Sequence, residues 1–231
     1  MAKLIHPTHL ERRSELARII DHTLLKPFAT PGDIDNLCNE ALKYNFWSVC
    51  INPVHVRQAA RRLTGSTTAV CSVVSFPFGT SVPALKLMEA RTAIADGATE
   101  IDMVSNFGAL KAGDTGGYFA DINEVAAFCG RSNITLKVIL ECCYLTDEEK
   151  VKAAKIAEQA GANFVKTSTG YGTGGATVED VALLRKVVAN RTGVKAAGGI
   201  GTLAKALEMV RAGADRIGTS SGVKILEELQ P

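Results

Sequence analysis

Asn163–Gly175 reads NFVKTSTGYGTGG and joins a short apolar run to a stretch of Thr, Ser and Gly. An apolar run that ends in turn-forming residues is typical of a buried strand, here 163–167. Side chains alternate between the two faces of a strand, so Phe164 and Lys166 share one face and Val165 takes the other. The segment therefore predicts a strand that carries a single lysine in an otherwise apolar setting.

Lys166 allows two interpretations. Burial disfavours the charged form of lysine, and the neutral amine is the nucleophile that forms Schiff bases with carbonyl compounds. Alternatively, Lys166 lies at a strand end and extends its ammonium group to water along an apolar stem. The segment alone does not decide between a reactive amine and an ordinary surface lysine.

Seven further apolar runs surround this segment and alternate with helical patterns. The predicted strands are 20–25, 46–51, 69–75, 98–104, 135–140, 163–167, 193–196 and 216–218. The predicted helices are 30–44, one that begins at 52–53, 81–96, a helical turn at 106–111, 116–130, 146–160, 177–190, 202–212 and 220–229. A short amphipathic helix at 14–20 precedes them and is expected to act as a lid or plug.

Eight apolar strands linked by helices predict an α/β fold with a parallel sheet covered on both faces, closed as a (β/α)8 TIM barrel. The chain has 231 residues, a normal length for one such domain. We therefore expect a single TIM-barrel domain over residues 1–231 with a short N-terminal helix.

Composition excludes several classes of partner. The chain is 46% hydrophobic and 22% charged with a net charge of +2, too little to indicate nucleic acid or an anionic membrane surface. No apolar run approaches the roughly 20 residues that a membrane span needs. Residues 1–13 are charged and precede no apolar stretch, unlike a signal peptide. These features predict a cytoplasmic protein.

The cysteines and histidines support the same interpretation. No pair of cysteines has C-x-x-C spacing, and most lie in apolar runs, which predicts reduced, buried thiols. The four histidines lack the spacing of metal ligands, so we expect no metal site. The six cysteines are Cys38, Cys50, Cys71, Cys129, Cys142 and Cys143.

In a TIM barrel the active site lies at the carboxyl ends of the strands. Asp102, in EIDMVSN, and Lys195, in VKAAGG, lie late in the fourth and seventh strands. Even-numbered strands place inward residues in shared layers, so Asp102 and Lys166 can meet. Two adjacent ammonium groups lower each other's pKa and so activate an amine, and a carboxylate can move protons. Taken singly, each residue could also be part of a structural ion pair.

Glycine-rich loops follow the last strands. Gly198 and Gly199 follow strand seven, 218–222 follows strand eight and opens the last helix, and Gly170 follows strand six. Loops after strands seven and eight, with a helix N-terminus, form the usual phosphate site of this fold. The alternative is that these are ordinary turn glycines.

Eight segments resemble the deoxyribose-phosphate aldolases, in order from about Ile20 to Gly222. They read IDHTLLKP, CINP, FPFG, EIDMV, KVILE, FVKTSTG, VKAAGGI and RIGTSSG. The resemblance implies a class I aldolase without a cofactor. Such an enzyme reversibly cleaves 2-deoxy-D-ribose 5-phosphate to D-glyceraldehyde 3-phosphate and acetaldehyde. Self-association as a dimer or tetramer is also expected.

The resemblance implies a role for each matching residue. Lys166 corresponds to the Schiff-base lysine, Lys195 to its activating neighbour and Asp102 to the proton-relay residue. The implied pocket positions are Asp21, Thr23 and Cys50, and the implied phosphate positions are Gly170, Gly198, Gly199, Gly218, Ser220 and Ser221.

The chain departs from the family pattern at three places. Gly201 follows Ile200 where many members have arginine, Ser105 replaces a common apolar residue, and the tail ends at Gln230–Pro231 without a terminal tyrosine. Two other functions stay open: a Schiff-base aldolase or transaldolase acting on a ketose phosphate, and a phosphate-binding barrel without catalytic activity.

Overall fold

A closed barrel of eight parallel strands, hydrogen-bonded in chain order, forms the centre of the computed structural model, which describes residues 12–189 and 191–229. The strands are β1 (Ile20–Leu24), β2 (Ser48–Ile51), β3 (Ala69–Val74), β4 (Glu100–Val104), β5 (Thr135–Ile139), β6 (Phe164–Lys166), β7 (Gly193–Ala197) and β8 (Arg216–Thr219). The predicted TIM-barrel fold is confirmed.

Ten helices of the described ranges accompany the strands. They are α1 (Arg13–Ala17), α2 (Pro31–Tyr44), α3 (Val56–Arg62), α4 (Pro83–Ala95), α5 (Phe107–Lys111), α6 (Thr115–Arg131), α7 (Asp147–Gln159), α8 (Val178–Val187), α9 (Leu203–Arg211) and α10 (Gly222–Glu228). Short 3-10 turns occupy Pro53–His55 and Cys142–Tyr144. Across the described ranges, no helix combines the length and apolar character that a bilayer crossing requires.

The predicted boundaries differ from the observed ones by a few residues. Phe46 and Ala98 were predicted to open β2 and β4, but they pack in the core just before the strands begin. The helix predicted from Pro53 begins as a 3-10 turn instead. The expectations for residues 1–11, Asn190 and the tail at 230–231 fall outside the described residues.

Side-chain caps explain why several helices begin where they do. Thr30 accepts a hydrogen bond from the amide of Asp33, whose carboxylate bonds back to the Thr30 amide. Thr146 and Glu149 form the same reciprocal pair at the start of α7. Each pair satisfies two amides that the first helical turn leaves without partners.

Helix α1 lies at the amino-terminal end of the barrel. Two residues separate it from β1, it packs against α10, and it buries Leu16 and Ala17. The predicted active site lies at the opposite end, so α1 fits the predicted plug and not the predicted lid.

Strand register divides the barrel interior into layers of four residues, each layer drawn from alternate strands. From the amino-terminal end upward, the layers are Ser48, Glu100, Phe164 and Arg216; Asp21, Cys71, Lys137 and Lys195; Cys50, Asp102, Lys166 and Gly218; and Thr23, Val73, Ile139 and Ala197. The middle of this barrel is therefore ionic, whereas TIM-barrel interiors are mostly filled by branched apolar side chains.

A second buried ion pair lies outside the barrel wall. Lys86 of α4 donates to Asp121 of α6 at 2.7 Å and to the carbonyl oxygen of Val104 at 3.0 Å. The same Asp121 oxygen accepts the amide of Asn106 at 3.1 Å. These bonds fasten two helices to the carboxyl end of β4, where the active-site residues are expected.

Candidate active site

The Asp102 carboxylate lies at the centre of the site. Its Oδ2 accepts hydrogen bonds from Lys166 Nζ at 2.8 Å and Lys195 Nζ at 2.7 Å. Its Oδ1 accepts one from Lys137 Nζ at 2.8 Å. The structure thus brings together the three residues predicted to carry the chemistry, and adds a third lysine.

Strand register explains this convergence. Lys166 and Lys195 are register partners on β6 and β7, and Asp102 and Lys137 are partners on β4 and β5. Asp102 and Lys166 occupy one layer, as the even-strand rule predicted. Lys166 is only 2% exposed, so the alternative that it extends to water is wrong.

Three charged residues of the cluster escaped sequence reasoning: Lys137, Glu100 and Arg216. Lys137 Nζ is 2.6 Å from Glu100 Oε2, and Arg216 is 3.3 Å from Glu100 Oε1. A sequence signal did exist, because each is a charged residue facing inward on a short apolar strand. Glu100 lies two positions before Asp102, which places both side chains on the same face of β4.

The lower end of the cluster is shielded by aromatic rings. The Arg216 guanidinium lies 4.3 Å from the centre of the Trp47 ring and 5.5 Å from that of Phe164. Trp47 Nε1 also donates to Glu100 Oε1 at 2.8 Å. Cation–π contacts and a buried hydrogen bond therefore close the cluster toward the amino-terminal end of the barrel.

Asp21, Thr23 and Cys50 differ in depth, although all three were expected to line the pocket. Asp21 is fully buried one layer below Lys166, with ion pairs to Lys195 at 2.5 Å and Arg216 at 2.5 Å. Cys50 shares the layer of Lys166, with Sγ 3.9 Å from Asp102 Oδ2. Thr23 lies in the uppermost layer and is half-buried. Asp21 therefore pairs with Lys195 within the layer below Lys166, since β1 places it too deep to line the mouth.

Charge counting gives the cluster one excess positive charge when every group is ionised. Four cations face three carboxylates, so one neutral amine would balance the cluster electrically. The cations are Lys137, Lys166, Lys195 and Arg216, and the carboxylates are Asp21, Glu100 and Asp102.

The ion pairs set the pKa values of the central groups. Burial alone would raise the pKa of Asp102, but the ammonium groups of Lys137, Lys166 and Lys195 hold it well below its usual range. Burial alone would lower the pKa of Lys195, but Asp102 and Asp21 outweigh it and raise that pKa. The prediction that the neighbouring lysine lowers the pKa of Lys195 is wrong, because the carboxylates lie closer than sequence could show.

The predicted phosphate loops lie together above β7 and β8. Gly198 and Gly199 have φ values of 89° and 74°, which glycine adopts without strain. Thr219 Oγ1 donates to the Ile200 carbonyl at 2.6 Å and accepts the Ser221 amide at 2.9 Å. This hydroxyl ties the two loops together, with Ser220 exposed and Ser221 half-buried beside them.

Gly218 differs from the other predicted phosphate glycines. It lies inside the barrel, and a Cβ added there would come within 3.0 Å of Lys195 Cε. Its missing side chain therefore makes room for Lys195. Gly201 does lie beside the loops, because a Cβ there would be 3.9 Å from Ser221 Oγ.

Ser105 is accommodated by hydrogen bonds in its buried position. It donates to the Ile139 carbonyl at 2.9 Å and accepts a bond from the Tyr118 hydroxyl at 3.0 Å. Ile139 belongs to β5 and Tyr118 to α6. This departure from the family pattern therefore leaves no unsatisfied hydroxyl.

One group of side chains in the described ranges has metal-ligand spacing: Cys50, Cys71 and Asp102, whose ligand atoms lie within 4.8 Å of one another. Histidine spacing could not reveal it. The Asp102 oxygens already bind three ammonium groups, so an added cation would meet strong repulsion. The arrangement suits proton transfer better than metal binding.

A TIM barrel with amines and a carboxylate buried at its strand ends has the architecture of a barrel enzyme that acts on carbonyl compounds. A protein-family model described as DeoC/LacD family aldolase matches residues 16–228 of the sequence. The chain therefore belongs to the DeoC/LacD family of aldolases.

Individual relatives agree with this assignment. The chain is 55% identical over 215 residues to a deoxyribose-phosphate aldolase of Thermococcus gammatolerans, covering 92% of this chain and 96% of the relative. It is 56% identical over 209 residues to one of Brevibacillus brevis, covering 90% and 94%. The solved tetrameric deoxyribose phosphate aldolase of Aeropyrum pernix superposes with a TM-score of 0.90 at 35% identity, covering 96% and 94%.

We expect the ionic cluster to give a broad plateau of stability between about pH 4 and pH 10. Asp21, Glu100 and Asp102 have lowered pKa values in the folded protein, so their contribution is lost as the pH falls below about 4. Lys137 and Lys195 have raised pKa values in the folded protein, so their contribution to stability persists until the pH rises well above about 10. Urea unfolding across this range measures the profile.

Lys137→Met should lower the free energy of unfolding by about 3–5 kcal/mol near neutral pH, because it leaves buried carboxylates under-compensated. In Lys137→Met, the loss of stability on acidification should also begin at a higher pH than in the wild type. The control is Arg57→Met, which breaks an exposed ion pair with Asp96 worth at most about 1 kcal/mol. Equal profiles for Lys137→Met and the wild type would contradict the role given to Lys137.

Proposed function

We propose that this aldolase reversibly cleaves 2-deoxy-D-ribose 5-phosphate to D-glyceraldehyde 3-phosphate and acetaldehyde through a Schiff base on Lys166. The observation that carries the proposal is the single Asp102 oxygen shared by Lys166 and Lys195. It places a nucleophile, a proton acceptor and a fixed cation within one hydrogen-bonded group. The names of the curated relatives support the same substrate.

In the synthetic direction, the neutral Lys166 amine adds to the carbonyl carbon of acetaldehyde, and loss of water gives an iminium ion. Neutral Lys166 leaves three cations opposite three carboxylates, so the cluster is balanced in the reactive form. The iminium then restores the positive charge at the same position. The cluster therefore carries no net charge with the free amine and one positive charge in the covalent intermediate, as it does when every group is ionised.

Asp102 takes the proton that the iminium makes acidic. Loss of this methyl proton converts the iminium to an enamine, which attacks the aldehyde carbon of D-glyceraldehyde 3-phosphate. Asp102 then returns a proton to the new alkoxide, and hydrolysis releases the sugar phosphate. A positioned acid–base group of this kind contributes roughly 10²–10⁴-fold to the rate.

Lys195 acts in this scheme as a fixed cation. Its raised pKa keeps it charged near neutral pH, and its bond to Asp102 keeps that carboxylate ionised. It can also stabilise negative charge that develops on substrate oxygen. The iminium ion formed on Lys166 accepts the electron pair left when the methyl proton departs, so the proposed steps need no cofactor.

The loops after β6, β7 and β8 are proposed to hold the substrate phosphate. Backbone amides in such loops bind anions without a side-chain charge. The residues proposed to form this cradle are Gly170, Gly198, Gly199, Ser220 and Ser221. Gly218 is left out because it makes room for Lys195.

The two alternative functions predict different experimental results from our proposal. A ketose-phosphate aldolase or transaldolase would act on fructose phosphates, and a non-catalytic phosphate-binding barrel would form no adduct. Product analysis with 2-deoxyribose 5-phosphate and fructose phosphates separates the first alternative from our proposal. Borohydride trapping with acetaldehyde tests the second.

The chain is proposed to act as one aldolase domain over residues 1–231 in the cytoplasm. Free cysteine thiols, five of the six buried, support a reducing compartment. Self-association is proposed through exposed apolar side chains along one side of α4 and the residue before it. These are Val82, Leu85 and Met88.

Lys166→Met should abolish both turnover and borohydride trapping, because it removes the nucleophile. Peptide mapping of the wild-type adduct should place the label on Lys166. The exposed Lys155, replaced in Lys155→Met, is the matched control and should keep full activity. Label on Lys195 instead would reverse the roles of the two lysines.

Gly201→Arg should lower the Michaelis constant for 2-deoxyribose 5-phosphate and leave that for plain 2-deoxyribose nearly unchanged. A charged hydrogen bond to phosphate contributes about 1.5–3 kcal/mol, or roughly one to two powers of ten in affinity. Steady-state kinetics of both proteins on both sugars at equal ionic strength measures the effect. Equal changes for the two sugars would mean that residue 201 does not face the phosphate.

Leu85→Lys combined with Met88→Lys should convert a dimer or tetramer into a monomer, since each lysine would carry a desolvated charge into the interface. Light scattering gives the molar mass. Phe119→Lys on α6 also replaces a partly exposed apolar side chain and should leave the mass unchanged. A monomeric wild type, or a double variant that keeps its mass, would argue against this interface.

A further inference from the structure

Glu141 combines a strained backbone with a buried carboxylate. It is the second residue after the end of β5 and has φ 57° and ψ 63°, a left-handed conformation that is uncommon for residues other than glycine. Its side chain is only 2% exposed. Such strain persists where the surrounding structure holds it, and it concentrates at functional sites.

The Glu141 carboxylate is held by neutral donors. Oε1 accepts the Thr169 amide at 3.1 Å, and Oε2 accepts the Thr169 hydroxyl. Between residues 12 and 229, with Asn190 left aside, no lysine or arginine pairs with it. The carboxylate therefore contacts the loop that follows β6 and, at 3.9 Å from Oε1, the Sγ of Cys143.

That loop is shaped by the contact. The Thr169 hydroxyl also accepts the Tyr171 amide at 3.0 Å, which closes a turn around Gly170. Gly172 lies directly against Glu141, since a Cβ added there would be 3.2 Å from the Glu141 carboxyl carbon. The carboxylate thus packs directly against residues 169–172 and holds them in place.

This turn also packs Gly170 against the loop that follows β7. A Cβ on Gly170 would lie 3.8 Å from Gly198 Cα, and the Ala176 amide donates to the Gly198 carbonyl at 3.0 Å. Gly170 and Gly198 both belong to the proposed phosphate cradle. The position of one wall of the cradle therefore depends on the Glu141 side chain.

Lys166 is fixed by different contacts. The amides on either side of Glu141, those of Leu140 and Cys142, donate to the carbonyls of Lys166 and Thr167, each at 2.9 Å. These backbone bonds do not involve the Glu141 carboxylate. Changing that carboxylate should therefore disturb the cradle and leave the Schiff-base lysine in place.

We propose that Glu141 is a positioning residue for recognition of the substrate phosphate, acting through Thr169 and Gly170. The inference rests on the proposed function, because it takes the loops after β6 and β7 as the phosphate site. It adds a residue that follows β5 and acts on the phosphate site through its bonds to Thr169.

Glu141→Gln is the first test, because it keeps the size of the side chain and removes its charge. The Michaelis constant for 2-deoxyribose 5-phosphate should rise roughly tenfold or more, the scale of one hydrogen bond to a charged group. The constant for plain 2-deoxyribose should stay unchanged. Borohydride trapping of Lys166 with acetaldehyde should also keep its wild-type rate.

Glu141→Gly is the second test, because glycine adopts the left-handed conformation without strain and the variant should fold. Glu141→Gly should show the same rise in the Michaelis constant for 2-deoxyribose 5-phosphate. Thr169→Val removes the hydroxyl partner and should act in the same direction. Asp121→Asn is the matched control, since it alters a buried carboxylate outside the barrel wall. It should lower the melting temperature and change the Michaelis constants for the two sugars by the same factor.

Equal rises for both sugars, or no rise for either, in folded Glu141→Gln and Glu141→Gly would overturn the proposal. Loss of trapping in these variants would also overturn it, because Glu141 would then act on Lys166. Absence of trapping in the wild type would instead contradict the proposed function itself.

Discussion

One carboxylate shared by three buried ammonium groups organises this barrel. Asp102 binds Lys166, Lys195 and Lys137 through its two oxygens, and no other carboxylate in the described ranges pairs with all three. Each ion pair offsets the cost of burying the charges in the others. Four consecutive strands, β4 to β7, supply these residues, so the site depends on the register of that part of the barrel.

This arrangement links stability to chemistry. A single buried lysine would tend to lose its proton through desolvation, whereas Lys195 and Lys137 keep theirs because carboxylates surround them. Lys166 lies in the same layer as Asp102 and binds the Asp102 oxygen that Lys195 also binds. The apolar shell of helices excludes water and so strengthens every charge interaction inside.

Sequence periodicity was enough to place the eight strands, and inward alternation was enough to bring Asp102 and Lys166 into one layer. It could not identify the partners of Lys137 and Arg216, because these depend on the register between paired strands, which periodicity within one strand does not fix. The direction of the Lys195 pKa shift was missed for the same reason. The left-handed conformation of Glu141 carried no sequence signal, since glycine or asparagine usually marks such a position.

The most direct test of this account is the ionisation state of Asp102. Carbon-13 labelling of aspartate side-chain carboxyls, with Asp102→Asn to assign the resonance, follows that group by NMR during a pH titration. The Asp102 signal should keep the chemical shift of an ionised carboxylate from about pH 8 down to about pH 4, below which ordinary aspartates protonate. A signal that titrates between about pH 5 and pH 8, or that is already protonated there, would contradict the claim that three lysines hold this carboxylate ionised.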